Sequence, residues 1–225
     1  MTEIRDLDGL AEWTAASALY RAVFGYTGPE WGLSPRLLAA LRQNSGTVVG
    51  AFEPDGTLVG FCYGFTAVED GEIYHYSQAA VVAPGAQGGG IGRELKRAQA
   101  AAARRTGARS MRWTFDPYAL RNAHFNLTVL GVTGIRFLPD HYGEAGTDRV
   151  LVSWRLTGDA PARTPGSVSV PAPAGDRIAA PEPADRLRLR RQLADRFAAG
   201  DRLTGVARVG GDPGRVAYTF ENGAS

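Results

Sequence analysis

Between residues 79 and 105, a β-branched apolar segment leads through a glycine-rich turn into a helical pattern. The apolar segment stops at Pro84, and residues 87–92 read Gln-x-x-Gly-x-Gly. A helix that begins directly after such a turn offers an anion site, because its first N–H groups have no partner within the helix and the helix dipole adds partial positive charge. Glycine also lets the backbone approach an anion closely and adopt positive φ values. This stretch therefore predicts a phosphate-binding loop between a strand and a helix.

The glycine-rich turn (residues 87–93) differs from two widespread phosphate-binding motifs. The P-loop requires Gly-Lys-Ser/Thr, and Lys96 comes too late for that role. The dinucleotide fingerprint G-x-G-x-x-G with a following acidic residue is missing as well. The spacing resembles motif A of the GNAT acyltransferase superfamily, which holds the pyrophosphate of an acyl-coenzyme A (acyl-CoA). The resemblance implies that the cofactor-binding residues include Gln87, Gly88, Gly89, Gly90, Ile91, Gly92 and Arg93.

With 225 residues, 44% hydrophobic and 21% charged, the chain has the composition of one globular domain with a small appendage. The net charge of +2 gives no indication of a nucleic-acid partner. Cys62 is the single cysteine, which excludes an intramolecular disulfide and a cysteine metal cluster. No signal peptide is expected, and no apolar run is long enough to span a bilayer. We therefore expect a cytoplasmic protein without a metal and without membrane or nucleic-acid partners.

Hydrophobic spacing and turn signals predict the element order ααβββαβαββ. This order gives an α/β fold, a mixed and mostly antiparallel central sheet flanked by helices, with one parallel crossover around the third helix. GNAT domains share the order and splay the two central strands to admit the pantetheine arm of the cofactor. The resemblance covers roughly residues 7–156. The predicted helices lie at 7–24, 35–43, 93–105 and 121–130, and the predicted strands at 47–52, 57–65, 73–82, 110–115, 135–137 and 150–156.

Prolines crowd the sequence after Leu156, where large apolar residues are few. We expect a GNAT acyl-CoA-binding domain at 1–157, a connector at 158–184, and a C-terminal helix and β-hairpin at 185–225. The tail is too small to fold alone, so Leu193 and Phe197 should be buried against the core or a second subunit, which makes a homodimer one option. Four arginines of this helix are expected on its solvated face: Arg186, Arg188, Arg190 and Arg191.

Three further blocks are more specific: WTFDP at 113–117, RNAHFN at 121–126 and LPDHYG at 138–143. They resemble a branch of predicted GNAT acyltransferases without a settled substrate, some members of which are similar to amino-acid N-succinyltransferases. The resemblance implies acetyl-CoA or succinyl-CoA as co-substrate and a small amine such as an amino acid as acceptor. Members of the branch tend to carry Ser-His where this chain has Ser77–Gln78. The residues expected near the acceptor are Trp31, Ser77, Gln78, Asp116 and Arg121.

Two of these acceptor residues have a second interpretation. Asp116 either contacts the acceptor or caps the helix that follows Pro117. Arg121 either presents its fork-shaped donor to a carboxylate of the acceptor or forms a salt bridge within the fold.

Acyl transfer from a thioester to an amine needs a donor for the oxyanion and a group that protonates the departing thiolate. In GNAT enzymes a backbone N–H polarises the thioester carbonyl, and the resemblance assigns this donor to the segment Ala80, Val81 and Val82.

Many GNAT members use a tyrosine on the helix after the fifth strand as the acid. Alignment on Ala123 and Gly131 places Leu127 at that position, so this tyrosine is missing. Asn122 and Asn126 are the nearest polar residues on the helix, and we expect them to contact the cofactor instead.

His75 and Tyr142 are the predicted groups for proton transfer. An unperturbed imidazole pKa near ~6.5 suits a base at neutral pH, and His75 lies on a predicted central strand. The alternative for His75 is a core or edge histidine that is hydrogen-bonded within the fold. Tyr142, and also Tyr118, are loop residues that could supply the missing acid.

Two functions follow from these residues. The first is an acyl-CoA-dependent N-acyltransferase in which the amine attacks directly in a ternary complex. The second is a GNAT-fold binding or regulatory domain that keeps the CoA site and has lost its acid–base residues. The glycine-rich turn favours cofactor binding under both, and the missing helix tyrosine keeps the second alternative open.

Overall fold

The computed structural model describes residues 2–28, 31–158, 168–173, 183–210 and 212–222. The chain divides into two compact units, Met1–Met111 and Arg112–Ser225. None of the helices within the described ranges is long and apolar enough to cross a membrane.

Among its described residues, the first unit contains four antiparallel strands and three α-helices. Its elements are β1 (Glu3–Asp6), α1 (Gly9–Phe24), α2 (Pro35–Gln43), β2 (Thr47–Phe52), β3 (Leu58–Glu69), β4 (Glu72–Val82) and α3 (Ile91–Arg105). The strands lie in the order β1-β2-β3-β4, and each neighbouring pair is antiparallel. The strand predicted at 47–52 is confirmed at both ends, whereas β3 runs four residues beyond its predicted end.

Aspartate–glycine turns join β2 to β3 and β3 to β4. At the turn between β2 and β3, Asp55 accepts a hydrogen bond from the N–H of Thr57 at 2.9 Å. At the turn between β3 and β4, Asp70 and Gly71 have φ values of 51° and 77°. Two successive positive φ values are what a type I′ turn requires, and this turn matches the twist of the strands it connects.

Each face of this sheet is covered by different helices. Helices α1 and α2 pack on one face, and α3 packs on the other. Neighbouring residues of a strand point to opposite faces, so Phe61 and Cys62 of β3 belong to different clusters. The first cluster contains Leu7, Ala16, Leu33, Leu38, Val48, Phe52, Phe61, Tyr63 and Val81, and the second contains Val49, Ala51, Cys62 and Leu95.

The first element of the chain is the strand β1, so the predicted order that begins with a helix is wrong. This strand is short, three of its four residues are charged, and it needs only one neighbour because it lies at the edge of the sheet. The guanidinium of Arg5 donates to Glu12 at 2.6 Å and lies 3.8 Å from the ring centre of Phe52. These contacts hold the edge strand against α1 and β2.

The second unit contains the remaining elements. They are α4 (Leu120–His124), β6 (Thr133–Leu138), β7 (Arg149–Arg155), β8 (Val168–Pro173), α5 (Pro183–Ala198), β9 (Arg202–Val209), β10 (Asp212–Glu221) and β5 (Ser110–Phe115), whose first two residues belong to the first unit. The strands lie in the order β5-β7-β6-β9-β10-β8. The helix predicted at 121–130 is α-helical only as far as His124 and continues as a π-helical segment, Phe125–Val129.

The C-terminal tail packs on the strands of its own unit. β9 pairs with β6 at Leu203 and Gly134, and it pairs with β10 along most of its length. Leu193 is fully buried, while Phe197 is half-buried and meets Phe220 edge to face at 5.5 Å. The tail is therefore covered within the chain, and the homodimer stays a prediction.

Part of the predicted connector is a strand. Residues 168–173 form β8, which pairs antiparallel with β10, and the proline-rich composition gave no indication of it. Because β8 ends the strand order, Pro171 and Pro173 are tolerated there without an N–H. Residues 159–167 and 174–182 of the connector lie outside the described part of the chain. The predicted division at residue 157 stays a prediction.

Leu193→Ala should lower the free energy of unfolding by about 2–5 kcal/mol, because it removes buried methyl groups and leaves a cavity. The matched control is Leu187→Ala on the same helix, where the side chain is 54% exposed and the change should stay within about 0.5 kcal/mol. Denaturant unfolding measures both variants. Equal losses would mean that α5 does not pack as described.

Candidate functional site

The glycine-rich turn forms an open loop of unpaired N–H groups at the start of α3. Gly88 and Gly90 have φ values of 90° and 85°, in the left-handed region that favours glycine. Within the described part of the chain, the N–H groups of residues 88–92 donate no hydrogen bond. The side chain of Gln87 donates to the carbonyl of Val82 at 3.1 Å and ties the loop to the end of β4. Five backbone donors are thus available to an anion.

A guanidinium lies beside this loop. An Nη of Arg93 is 3.8 Å from where a Cβ at Gly90 would stand, and the Arg93 side chain is 46% exposed. A Cβ at Gly88 would have nothing within 4 Å. The loop therefore combines free donors, positive charge and open space, which are the requirements of a diphosphate site.

A β-bulge interrupts β4 just before the predicted thioester segment. Tyr63 pairs with Ala79 and Gly64 pairs with Ser77, so Gln78 has no counterpart on β3. The side chains of Gln78 and Ala80 are exposed, whereas Val81 is buried in the first cluster. A bulge of this kind bends the strand and re-aims the residues that follow it.

Five buried polar side chains lie between the sheet and α3, and we refer to them as the buried polar chain: Thr47, His75, Ser77, Lys96 and Gln99. The Lys96 Nζ donates to the Ser77 hydroxyl at 2.7 Å, and that hydroxyl donates to Gln99 Oε1 at 2.7 Å. The Gln99 Nε2 donates to Thr47 Oγ1, which also lies 2.9 Å from His75 Nε2. The buried polar chain was not predicted from the sequence, although a single lysine on the inner face of an alanine-rich helix is a signal for it.

Burial changes the acid–base properties of two members of the buried polar chain. Desolvation, with a contribution from the charge of Lys96, lowers the pKa of His75 to about 4. Desolvation lowers the pKa of Lys96 to about 7. His75 is fully buried and neutral at physiological pH, which favours the interpretation of a hydrogen-bonded core histidine.

The predicted acceptor residues of the first unit differ in exposure. Trp31 is 54% exposed and stacks on Tyr26 with ring centres 5.9 Å apart. Ser77 is buried in the polar chain, and Gln78 is exposed at the bulge.

The predicted residues of α4 and the loop before it have partners within the second unit. Asp116 accepts a hydrogen bond from the N–H of Tyr118 at 2.8 Å, which forms a turn ahead of the helix. Asn126 accepts from the indole of Trp113 at 2.7 Å and donates to the carbonyl and the side chain of Asn122. Its amide is therefore committed to the fold. Arg121 and Asn122 are exposed on α4.

The two loop tyrosines, Tyr118 and Tyr142, differ in their exposure to solvent. Tyr142 is 57% exposed, with the guanidinium of Arg149 4.9 Å from its ring centre. The hydroxyl of Tyr118 donates to Asp148 at 2.6 Å, and burial together with this carboxylate raises the pKa of Tyr118 far above its usual value. Of the two, Tyr142 alone is open to solvent.

The branch-specific blocks also hold the C-terminal tail in place. Arg190 of α5 donates to both carboxylate oxygens of Asp140, at 2.6 and 3.2 Å, and lies 3.6 Å from Asp148. Arg186 donates to the carbonyl of Gly146. The expectation that both arginines lie on a solvated face is therefore wrong. In addition, the hydroxyl of Tyr218 on β10 donates to the carbonyl of Pro117 at 2.6 Å.

A model of the family described as "Acetyltransferase (GNAT) family" matches residues 13–132. No curated protein is similar enough in sequence to count as a relative. Among the residues that the structure describes, no group of three or more histidine, cysteine, aspartate or glutamate side chains is arranged to hold a metal ion.

Among the solved structures with similar folds are three bacterial proteins. A protein assigned to the GNAT acetyltransferases from Desulfovibrio desulfuricans has a TM-score of 0.59 at 18% identity, over 70% of this chain and 100% of its own. The yncA protein of Salmonella typhimurium, assigned as an acetyltransferase and solved with acetyl-CoA, has a TM-score of 0.57 at 21% identity, over 72% and 98%. The ribosomal-protein-S18-alanine N-acetyltransferase of Escherichia coli has a TM-score of 0.54 at 16% identity, over 73% and 99%.

At these identities the solved structures establish the fold, an α/β architecture with a mixed central sheet flanked by helices. The family model covers more than half of the chain and includes the open loop and the bulged strand. Because of this match, the chain belongs to the GNAT family of acetyltransferases.

Proposed function

We propose that the protein is an acyl-CoA-dependent N-acyltransferase that transfers an acetyl or succinyl group to the amine of a small molecule such as an amino acid. The observation that carries the proposal is the loop of five unpaired N–H groups at the start of α3, with Arg93 beside it. An acyl-CoA presents a diphosphate of matching charge. The solved yncA structure contains acetyl-CoA, which supports the same class of co-substrate for this chain.

The backbone and Arg93 would hold the diphosphate, and the strand that ends at Val82 would place the thioester. The N–H groups of residues 88–92 are unpaired and lie at the N-terminal end of α3, where the helix dipole adds partial positive charge. Residues Ala80–Val82 form the end of β4, and residues 83–86 lead from there to the loop, so a thioester held along Ala80–Val82 would receive a backbone donor at its carbonyl oxygen. The acceptor nitrogen then forms an amide bond to the acyl carbon as the carbon–sulfur bond breaks.

In this reaction the acceptor nitrogen loses one proton, which passes to solvent water, and the departing thiolate takes up one proton. Tyr142 is the exposed tyrosine that we propose as the proton donor to the thiolate. His75 is buried and neutral, so we leave it out of the proton transfer and propose a structural role for it.

The pH dependence distinguishes the two roles of His75. With a pKa of about 4, ionisation of His75 would give the pH profile of kcat/KM an acidic limb near pH 4, and none near the usual histidine pKa of ~6.5. We expect His75→Gln to follow the wild-type pH profile from about 5.5 to 8. An acidic limb near pH 6.5 that disappears in His75→Gln, and does not move when an acceptor amine of different pKa is used, would restore His75 as the base.

A CoA-binding or regulatory domain is the alternative function, and one observation favours it. Leu127 occupies the position at which many family members carry the tyrosine that acts as general acid, and it is fully buried in the π-helical segment. No proton donor can therefore be supplied from this position of the helix.

Thiol release from acetyl-CoA and succinyl-CoA, measured with pooled amino acids, tests the proposal. A short peptide pool is run in parallel because one structural neighbour acts on a ribosomal protein. We expect acceptor-dependent thiol release with amino acids and an acylated product in the mass spectrum. Tight acetyl-CoA binding without turnover on any acceptor would favour the regulatory domain. Turnover on peptides alone would show that the acceptor is a peptide and not a small molecule.

A further inference from the structure

Lys96, the only lysine of the chain, lies on the buried face of α3 rather than on its surface. Its side chain is 3% exposed, and its Nζ donates to the Ser77 hydroxyl at 2.7 Å. Lysine is rarely buried, because its amine must give up water to reach such a position. A methionine or leucine at this position of the helix would pack without that penalty. The fold alone therefore gives no reason for a lysine here.

The hydroxyl that Lys96 meets is held on both sides. It accepts from Lys96 and donates to Gln99 Oε1, and Gln99 donates in turn to Thr47 of β2. Thr47 and Ser77 each pair with Gly64, so the buried polar chain spans three neighbouring strands. Because both directions of the Ser77 hydroxyl are used, its rotamer is fixed, and the backbone that carries it is restrained.

Ser77 is the residue immediately before the bulge of β4. Gln78 is the unpaired residue of that bulge, and Ala79–Val82 follow it. On the helix side, Lys96 is six residues after Gly90, or about 9 Å along the helix axis. The Lys96–Ser77 hydrogen bond thus joins the helix that begins at the glycine-rich turn to the strand that leads into it.

We propose that Lys96 is a positioning residue for acyl transfer: its hydrogen bond to Ser77 holds the bulge of β4 and so sets the backbone of Ala79–Val82 relative to α3. This inference rests on the proposed function, because it concerns the segment that would face the thioester. Lys96 does not touch the acyl group in this proposal. It acts through Ser77.

The Lys96 amine is a weaker base than an exposed lysine because it is buried. Burial lowers its pKa to about 7, and Lys96 interacts electrostatically with Cys62 on β3 and His75 on β4. Asp6 on β1 acts on Cys62, whose pKa burial raises to about 12. The Cys62 thiol and the His75 imidazole are therefore both uncharged at neutral pH, so removal of the Lys96 amine leaves neither of them as an unpaired buried ion.

Three substitutions test the positioning role. Lys96→Met keeps the volume and removes the amine, Ser77→Ala removes the hydroxyl, and Ser77→Thr retains it. Arg97→Met is the matched control, because Arg97 is the next residue on α3 and its side chain is 59% exposed. We expect backbone amide exchange in residues 78–82 to rise at least about tenfold in Lys96→Met and Ser77→Ala, and to stay at the wild-type rate in Ser77→Thr and Arg97→Met.

Binding and turnover are measured on the same proteins. The Kd for acetyl-CoA should change less than about threefold, since the glycine-rich turn is untouched, while kcat on the best acceptor should fall by about 10–100-fold. Unchanged amide exchange and unchanged kcat in Lys96→Met would overturn the inference. Failure of the wild-type protein to bind acetyl-CoA would instead overturn the proposed function, and the exchange data would still decide whether Lys96 holds the bulge. If Ser77→Ala does not fold, Lys96→Met decides alone, because Ser77 keeps Gln99 as a partner in it.

Discussion

Gly90→Val is expected to weaken CoA binding by about 100-fold or more while leaving the protein folded. Gly90 has a φ of 85°, and valine is strongly disfavoured in this left-handed region. Its side chain would also project into the space beside Arg93, where the diphosphate is proposed to lie. Loss of even two charge-assisted hydrogen bonds, at about 1.5–3 kcal/mol each, accounts for a change of this size. Calorimetric titration with CoA measures it.

The matched control is Gly107→Val, which follows the other end of the same helix. Gly107 has a φ of 80°, and a Cβ there would meet nothing within 4 Å. The two variants therefore carry a similar backbone strain and differ in their distance from the glycine-rich turn. We expect both to lose stability and only Gly90→Val to lose CoA affinity. Equal affinities in the two folded variants would refute the assignment of the diphosphate site.

The features that the sequence predicted correctly depend on local signals. Proline ends β4 and glycine begins α3, and these residues act through their own φ values and missing side chains. The strand Ser110–Phe115 is confirmed at both ends for a similar reason, since Asp116–Pro117 follows it directly. A pattern within ten residues is enough to place such elements.

The features that it did not predict depend on partners far along the chain. β8 is a strand because β10 supplies its hydrogen bonds, although its own prolines disfavour the conformation. Arg190 is paired because Asp140, fifty residues earlier, lies opposite it. Likewise, the residue pattern of β4 could not show that α3 would cover the face of the strand on which His75 lies. Burial on that face depends on residues of another helix and on a glycine of the neighbouring strand.

That glycine is Gly64, and Gly64→Ala is expected to lower the free energy of unfolding by about 3 kcal/mol or more, or to prevent folding. Thr47, Gly64 and Ser77 form a row across three strands. The imidazole of His75 takes the space that a side chain at the middle position would need. A Cβ at Gly64 would stand 2.6 Å from His75 Nε2 and closer still to the carbonyl oxygen of Tyr76. A backbone carbonyl inside a sheet cannot move aside without breaking strand pairing, so the overpacking is severe.

Gly205→Ala provides the matched control, since it adds the same methyl group to another strand. There the nearest atom to the new Cβ is Thr219 Cβ at 3.5 Å, which is an ordinary contact. This variant should be neutral or more stable by up to about 1 kcal/mol, because alanine restricts the unfolded chain. Thermal and denaturant unfolding compare the two.

The double variant Gly64→Ala/His75→Ala separates the two clashes: removing the ring relieves the contact with Nε2 but not the contact with the Tyr76 carbonyl. We therefore expect it to remain less stable than His75→Ala alone, and equal stability of those two variants would show that the ring, not the backbone, excludes a side chain from position 64.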